Sequence, residues 1–266
     1  SARPSLVIRR HRFEISTLNE LRLRGLFDET LEDFFAAAVS AKRNIVIAGG
    51  TGSGKTTLLR ALINEVSASE RIVTIEDAYE LGLDRFEDLH PDHDALQSRP
   101  ANIEGRGEIT LADLTRMALR MDPDRVIVGE VRGAEAFPML MAMSQGNNGS
   151  MCTMHADSTR SVFPKLAAYV SMASTGLPVE TVNLLVASAI HFVVYIDNTN
   201  SVRRVTSVRE VVDSEGSTIV SNEIFHLNIE DGLVTGFPLR EHTRKLLAAH
   251  GLGTHTSSVP KIENAS

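Results

Sequence analysis

The stretch GGTGSGKTT, residues 49–57, constrains the fold of this chain more than any other, because it closes the apolar run NIVIAG and leads into TTLLRALINEVSA. Gly49, four residues, then Gly54, Lys55 and Thr56 is the spacing of a phosphate-binding loop between a buried strand and a helix. Its glycines let successive backbone N–H groups curve around phosphate oxygens. Lys55 is placed to reach the β- and γ-phosphates, and the Thr56 hydroxyl to bind magnesium. The exit into a helix puts the anion at a helix N-terminus, where the dipole and the free donors favour negative charge. A bare glycine turn would not need this succession. The expected cofactors are ATP and Mg2+, with Gly50, Thr51, Gly52, Ser53, Gly54, Lys55, Thr56 and Thr57 at the nucleotide.

Apolar runs continue after the loop. RIVTIED, RVIVGE and SMCTMHA read as buried strands, and they alternate with helical patterns in TLADLTRMALRMD, capped by Thr110, and in AEAFPMLMAMSQG. Continuous apolar strands separated by helices imply an α/β fold with a mainly parallel sheet covered on both faces. TLNELRLRGLFDETLEDFFAAAVSAKR, before the loop, reads as two short helices split near Gly25, and PSLVIRRHRF as a short strand with a basic end. Residues 78–108 are polar and too long for an incidental connector. STRSVFPKLAAYVSMAS and VETVNLLVASA are helical. HFVVYID, RRVTSVREVV and TIVSNEIFHLN then suggest a small antiparallel group, followed by the helix EHTRKLLAAHG.

Composition narrows the function. A formal net charge of −7 argues against non-specific nucleic-acid or acidic-lipid binding, so no nucleic-acid partner is expected. No apolar run approaches the roughly 18 residues of a membrane span, and SARPSLVIRRHRF lacks a signal-peptide core, which points to a cytoplasmic protein. The single cysteine, Cys152, agrees with a reducing compartment and reads as a buried structural thiol. The start without Met suggests a trimmed chain.

Three polar clusters fall at the carboxyl ends of predicted strands, where doubly wound sheets place ligands. TIEDAYE offers Glu76, Asp77 and Glu80, which are either solvated acids at a helix start or groups that handle water and metal. RVIVGEVRG ends in Gly129 and Glu130 where such strands often carry a metal-holding aspartate, with Arg132 beyond. GNNGSMCTMHA closes on Thr153 and His155, and at a strand end His155 is a candidate sensor of the γ-phosphate. Arginines form a further set: Arg99, Arg106, Arg116 and Arg120 before the third strand, and Arg9, Arg10 and Arg12 near the N-terminus. Each alone reads as a surface ion pair. Together they offer at least one group able to stabilise charge in phosphoryl transfer.

These four motifs, in this order, resemble the secretion ATPases of type II secretion, type IV pili and type IV secretion. SRPANIEGRGEITLADLTRMALRMDPDRVIVGEVRGAEA is similar to the CpaF-type motors of Tad pili, and the likeness runs from about residue 6 to about residue 212. It implies a RecA-like ATPase core that forms a homo-hexameric ring with nucleotide between subunits. It also implies recruitment to the inner face of the cell membrane through an inner-membrane platform protein. By the resemblance, Glu80 matches the residue that aligns water, Glu130 the glutamate near magnesium, and His155 the histidine-box member. Glu76 and Arg120 complete the candidate catalytic set, and Arg9 and Arg10 match arginines that approach phosphate. Residues 1–40 become the remnant of an N-terminal domain with linker and leading helices, 41–190 the core, 191–252 C-terminal strands and helix, and 253–266 a disordered tail. Asn147 stands where the family often has a second histidine, Gln97 where it has a carboxylate, and Pro138 and Pro164 fall inside helical patterns. A DNA-transfer motor or helicase is the alternative function, and a non-hydrolysing module that uses ATP only to set assembly is a third.

Overall fold

The structure, a computed structural model, describes Arg3 and residues 16–253 apart from 86, 87, 174, 229–231 and 233. The expected strand PSLVIRRHRF, with Arg9, Arg10 and Arg12, lies outside the described residues, as does all of the expected tail but Gly253. Two helices lead, α1 (Leu18–Leu23) and α2 (Glu29–Ser40). Thr17 and Glu20 form a reciprocal capping box on α1, and the Asp28 carboxylate accepts the Leu31 N–H at 3.0 Å to start α2. Between them Gly25 takes a left-handed conformation at φ 79°, as its place in the sequence suggests.

The sheet begins with β1 (Ile45–Gly49), β2 (Ile72–Glu76), β3 (His93–Gln97), β4 (Arg125–Val131), β5 (Met151–Met154) and β6 (Phe192–Thr199), all mutually parallel. It continues antiparallel through β7 (Val202–Glu215), β8 (Thr218–Leu227) and β9 (Val234–Thr235). Among the described residues the strand order is β3-β2-β4-β5-β1-β6-β7-β8-β9, nine strands in one sheet. Side-chain alternation along β1 makes two cores: Ile45 and Ile47 join Phe34, Phe35, Leu58 and Leu62 on one face, while Val46 and Ala48 join Val73, Val128 and Met139 on the other. Helices α3 (Lys55–Asn64), α4 (Leu111–Ala118), α5 (Ala136–Ser144), α6 (Val162–Met172), α7 (Val179–Ala189) and α8 (Glu241–Ala249) complete the layers.

Two polar anchors fix the strand starts. The buried Asn44 amide donates to the Met143 and Ala189 carbonyls at 2.9 and 2.6 Å, and its Oδ1 accepts from Gly149 and Ser150 N–H at 2.7 and 3.0 Å. Arg125, 1% exposed, forks onto Glu70 with two 2.9 Å contacts and donates to the Val39 carbonyl at 3.0 Å. A buried guanidinium is tolerated only with this degree of pairing. Pro138 and Pro164 each occupy the third helical position, in α5 and α6, where the missing N–H has no intrahelical acceptor to lose.

Two elements differ from expectation. HFVVYID becomes β6, parallel to β1 with Gly49 opposite Ile196, so the antiparallel strands extend the same sheet. Residues 93–97 form the edge strand β3 against β2. HDALQ is only half-buried, so its place comes from backbone pairing and carries no apolar signal. No helix among the described residues is long and apolar enough to cross a membrane. Parallel strands separated by helices gather residues 50–54, 77–82, 129–135, the segment after β5 and the β6–β7 turn at one sheet edge.

Candidate active site

The phosphate loop occupies that edge. Gly54, the N-cap of α3, takes φ 99°, a conformation that favours glycine, and no side chain caps the helix. The first turn of α3 also carries no acid, so its free N–H donors suit an external anion. Lys55 is 8% exposed, and its Nζ donates to the carbonyls of Gly49 at 3.0 Å and Gly50 at 2.8 Å. Burial lowers its pKa, and the nearby Glu130 charge opposes that shift. An ammonium, helix donors and the Thr56 hydroxyl, in one cleft with Glu130, form a donor set that fits a triphosphate with magnesium.

Facing the loop is a cleft of about 520 Å³ that brings together Thr51 to Thr57, Glu76, Asp77, Glu80, Gly129, Glu130, Thr153 and His155. Four of the five expected catalytic residues therefore share one space. In β4 the register slips between Val128 and Val131, so Gly129 and Glu130 stand opposite Thr153 alone in β5. This bulge turns Glu130 toward His155, with Oε1 and Nε2 3.0 Å apart. Thr153 Oγ1 donates to the Gly129 carbonyl at 2.6 Å and fastens the bulge. The His155 carbonyl accepts from Lys165 Nζ at 2.8 Å.

Glu76 explains the glycine before Glu130. A Cβ at position 129 would lie 3.0 Å from Glu76 Cγ, so an aspartate there would press into the buried glutamate. The Glu76 Oε1 accepts the N–H groups of Glu80 and Leu81, both at 2.9 Å, and thereby shapes the loop that carries Glu80. Arg60, one helical turn beyond Thr56, donates to the Glu80 carbonyl. Asp77 pairs with Arg132 and accepts from Ser98 Oγ at 2.8 Å, while Gln97 Nε2 donates to the Asp77 carbonyl at 3.1 Å.

Burial pushes the Glu76 carboxyl up to about 7, against the lowering effect of its two backbone donors. The folded protein keeps this proton up to that pH, whereas an unfolded carboxyl releases it near 4.5. The folded state thus binds more protons between these values, and stability falls as pH rises through the window. Glu76→Gln keeps an acceptor for both N–H groups and removes the titration. Its stability advantage over the wild type is expected to grow by on the order of 3 kcal/mol from pH 4.5 to pH 8, read from urea midpoints. Parallel profiles for the two proteins would refute a buried, proton-holding Glu76.

Other expected residues lie elsewhere. Arg120 is exposed just past α4, on the segment leading to the start of β4, hence at the sheet edge opposite the phosphate loop. Helix direction causes this, and it leaves Arg120 outside the cleft that holds the other four. Arg116 pairs with Asp113 at 3.3 Å, and Arg99 donates to the Gly107 carbonyl at 2.8 Å. Asn147 Nδ2 donates to the Pro123 carbonyl at 2.6 Å, a structural role away from the cleft. Cys152 is fully buried and its thiol pKa is raised by desolvation, so it is structural. Arg60 and Arg203 line the cleft without having been singled out from sequence. The four-residue spacing from Thr56 was the available signal for Arg60. Arg203 had none, because its position depends on which edge β6 reaches.

Comparison with known proteins agrees with this architecture. The chain is 39% identical over 168 residues to the type IV secretion system protein VirB11 of Brucella suis, covering 62% of this chain and 45% of that protein. It is 40% identical over 178 residues to the type IV secretion system protein PtlH of Bordetella pertussis, 65% of this chain and 50% of that protein. Its fold matches the crystal structure of the Brucella suis VirB11 ATPase in complex with sulphate at TM-score 0.60 and 34% identity, over 72% of this chain and 54% of that one. The chain thus spans about half the length of these relatives. The family model described as Type II/IV secretion system protein matches residues 1–222, and with that extent of match the chain belongs to this family.

Proposed function

We propose that this chain is the motor part of a magnesium-dependent ATPase that couples hydrolysis to pilus assembly or protein secretion, in the manner of CpaF-type Tad motors. The observation that carries the reading is the single cleft in which Lys55 and Thr56 face Glu76, Glu80, Glu130 and His155. A bound magnesium ion would be held by Thr56 and Glu130, and would neutralise charge on the β- and γ-phosphates. Lys55 and the α3 N–H groups hold the phosphates in register. Glu80 orients the attacking water, and Glu76 fixes the Glu80 loop. His155, joined to Glu130, reports whether the γ-phosphate is in place. Arg120, at the opposite edge, serves a nucleotide bound by the next subunit of a homo-hexameric ring. Residues 41–190 form the RecA-like ATPase core in this reading, 1–40 the remnant of an N-terminal domain, and 191–252 a C-terminal part. The protein works in the cytoplasm and is recruited to the inner face of the membrane by a platform protein.

Steady-state phosphate release, measured with light scattering with and without ATP, tests this directly. The expected result is Mg2+-dependent turnover abolished by EDTA, with a larger scattering mass when nucleotide is present. Nucleotide-driven assembly without turnover would instead favour the non-hydrolysing module.

A further inference from the structure

The β6–β7 hairpin reaches the phosphate edge because β6 runs parallel to β1 and then turns back at Asn200 and Ser201, both at positive φ. Arg203 follows that turn, opposite Asn198. Its stem crosses the N-terminus of α3, with Cδ 3.5 Å from where a Cβ on Gly54 would lie. Among the described residues Arg203 forms no ion pair and no side-chain hydrogen bond, unlike Arg209 in the same strand, which pairs with Glu223 at 3.5 Å. A guanidinium side chain laid over the positive end of a helix, without a carboxylate partner, is an electrostatically unfavourable arrangement unless an anion joins it.

Arg203 also marks a boundary. It lines the cleft that holds the acids, and it lines a neighbouring cavity of about 340 Å³ together with Leu21, Leu26, Thr57 and Val202. That second cavity includes none of Glu76, Glu80, Glu130 and His155. A triphosphate whose terminal group faces those acids can direct its other end past Arg203 toward this more apolar space, which Arg24 and Ser201 also line.

We infer that Arg203 is a nucleotide-binding residue supplied in cis by the hairpin, pairing with the phosphates nearest the nucleoside. The inference rests on the ATP-binding reading of the loop, and it specifies which end of the ligand the hairpin addresses. Because those phosphates are common to ADP and ATP, Arg203 contributes to the affinity of both. A residue that served the γ-phosphate would discriminate between them.

Calorimetric titration with Mg-ADP and with a non-hydrolysable Mg-ATP analogue separates these roles. Arg203→Ala is expected to weaken both ligands by a similar factor of about ten, the effect of one charge-assisted contact. Arg203→Lys should recover part of the loss, and Arg204→Ala, on the opposite face of β7, should bind like the wild type. Arg203 is exposed, so its variants should melt with the wild-type profile; Arg203→Gln gives a second variant if alanine perturbs the hairpin. Unchanged affinity for both ligands would overturn the inference, and so would a loss confined to the ATP analogue. Lys55→Ala, titrated in parallel, distinguishes the other failure: if it too binds both ligands normally, the loop is not the phosphate site.

Discussion

Replacing Lys55 by alanine is expected to weaken ATP binding by about 10²–10⁴-fold and to remove measurable turnover. The side chain is nearly buried, and its ammonium bridges the Gly49 and Gly50 carbonyls inside the loop. Folding has therefore already desolvated the charge and restricted the rotamers, so little ordering remains when phosphate arrives. Binding exchanges contacts to neutral carbonyls for contacts to ionised phosphate oxygens, each worth roughly 1.5–3 kcal/mol. Two such contacts give the range stated. Lys55→Arg should not restore activity, since a planar fork is longer and wider than the compact ammonium that fits between those carbonyls. Stability should hold or rise in Lys55→Ala, because a desolvated cation is removed. Calorimetry with Mg-ATP, combined with a thermal melt, checks both statements, and an alanine variant that binds ATP within about tenfold of the wild type would show that the loop is not the binding site.

The parts of this architecture legible in the sequence are those that burial writes into residue type. NIVIAG and RVIVGE are apolar because both faces of β1 and β4 are covered, and the loop between β1 and α3 is glycine-rich because the backbone must approach phosphate. Candidate acids were legible because parallel strands end on one edge. Pairing was less visible. HDALQ joins the sheet through backbone hydrogen bonds to β2, which leave no apolar trace, and HFVVYID gives the same pattern whether its neighbour runs parallel or antiparallel. That ambiguity concealed Arg203, since only the parallel choice brings the β6–β7 turn to the phosphate edge. Gly129 was puzzling for a related reason. Its small size answers to Glu76, a contact between strands that no local pattern reveals, and the bulge that aims Glu130 depends on the register of β5.

Glu80→Gln is expected to slow hydrolysis by about 10²–10⁴-fold while leaving ATP affinity near that of the wild type. Three glutamates meet in the cleft, and their surroundings assign them different tasks. Glu76 is buried and spends one carboxylate oxygen on two backbone N–H groups, so it shapes a loop. Glu130 lies 3.0 Å from His155 and its charge acts on Lys55, which is why the metal-holding role is proposed for it. The Glu80 main chain is fixed by N–H to Glu76 and by Arg60 on its carbonyl, and the residue lines the cleft. A side chain positioned this way can orient water without being needed to bind ATP. Glu130→Gln should therefore differ in kind, raising the Mg2+ concentration required for half-maximal rate, whereas Glu80→Gln should keep the wild-type Mg2+ requirement and lose kcat. If Glu80→Gln turned over at the wild-type rate while Glu130→Gln lost kcat at saturating Mg2+, the water-handling role would pass to Glu130, and Glu80 would serve only to close the acidic loop over Arg60.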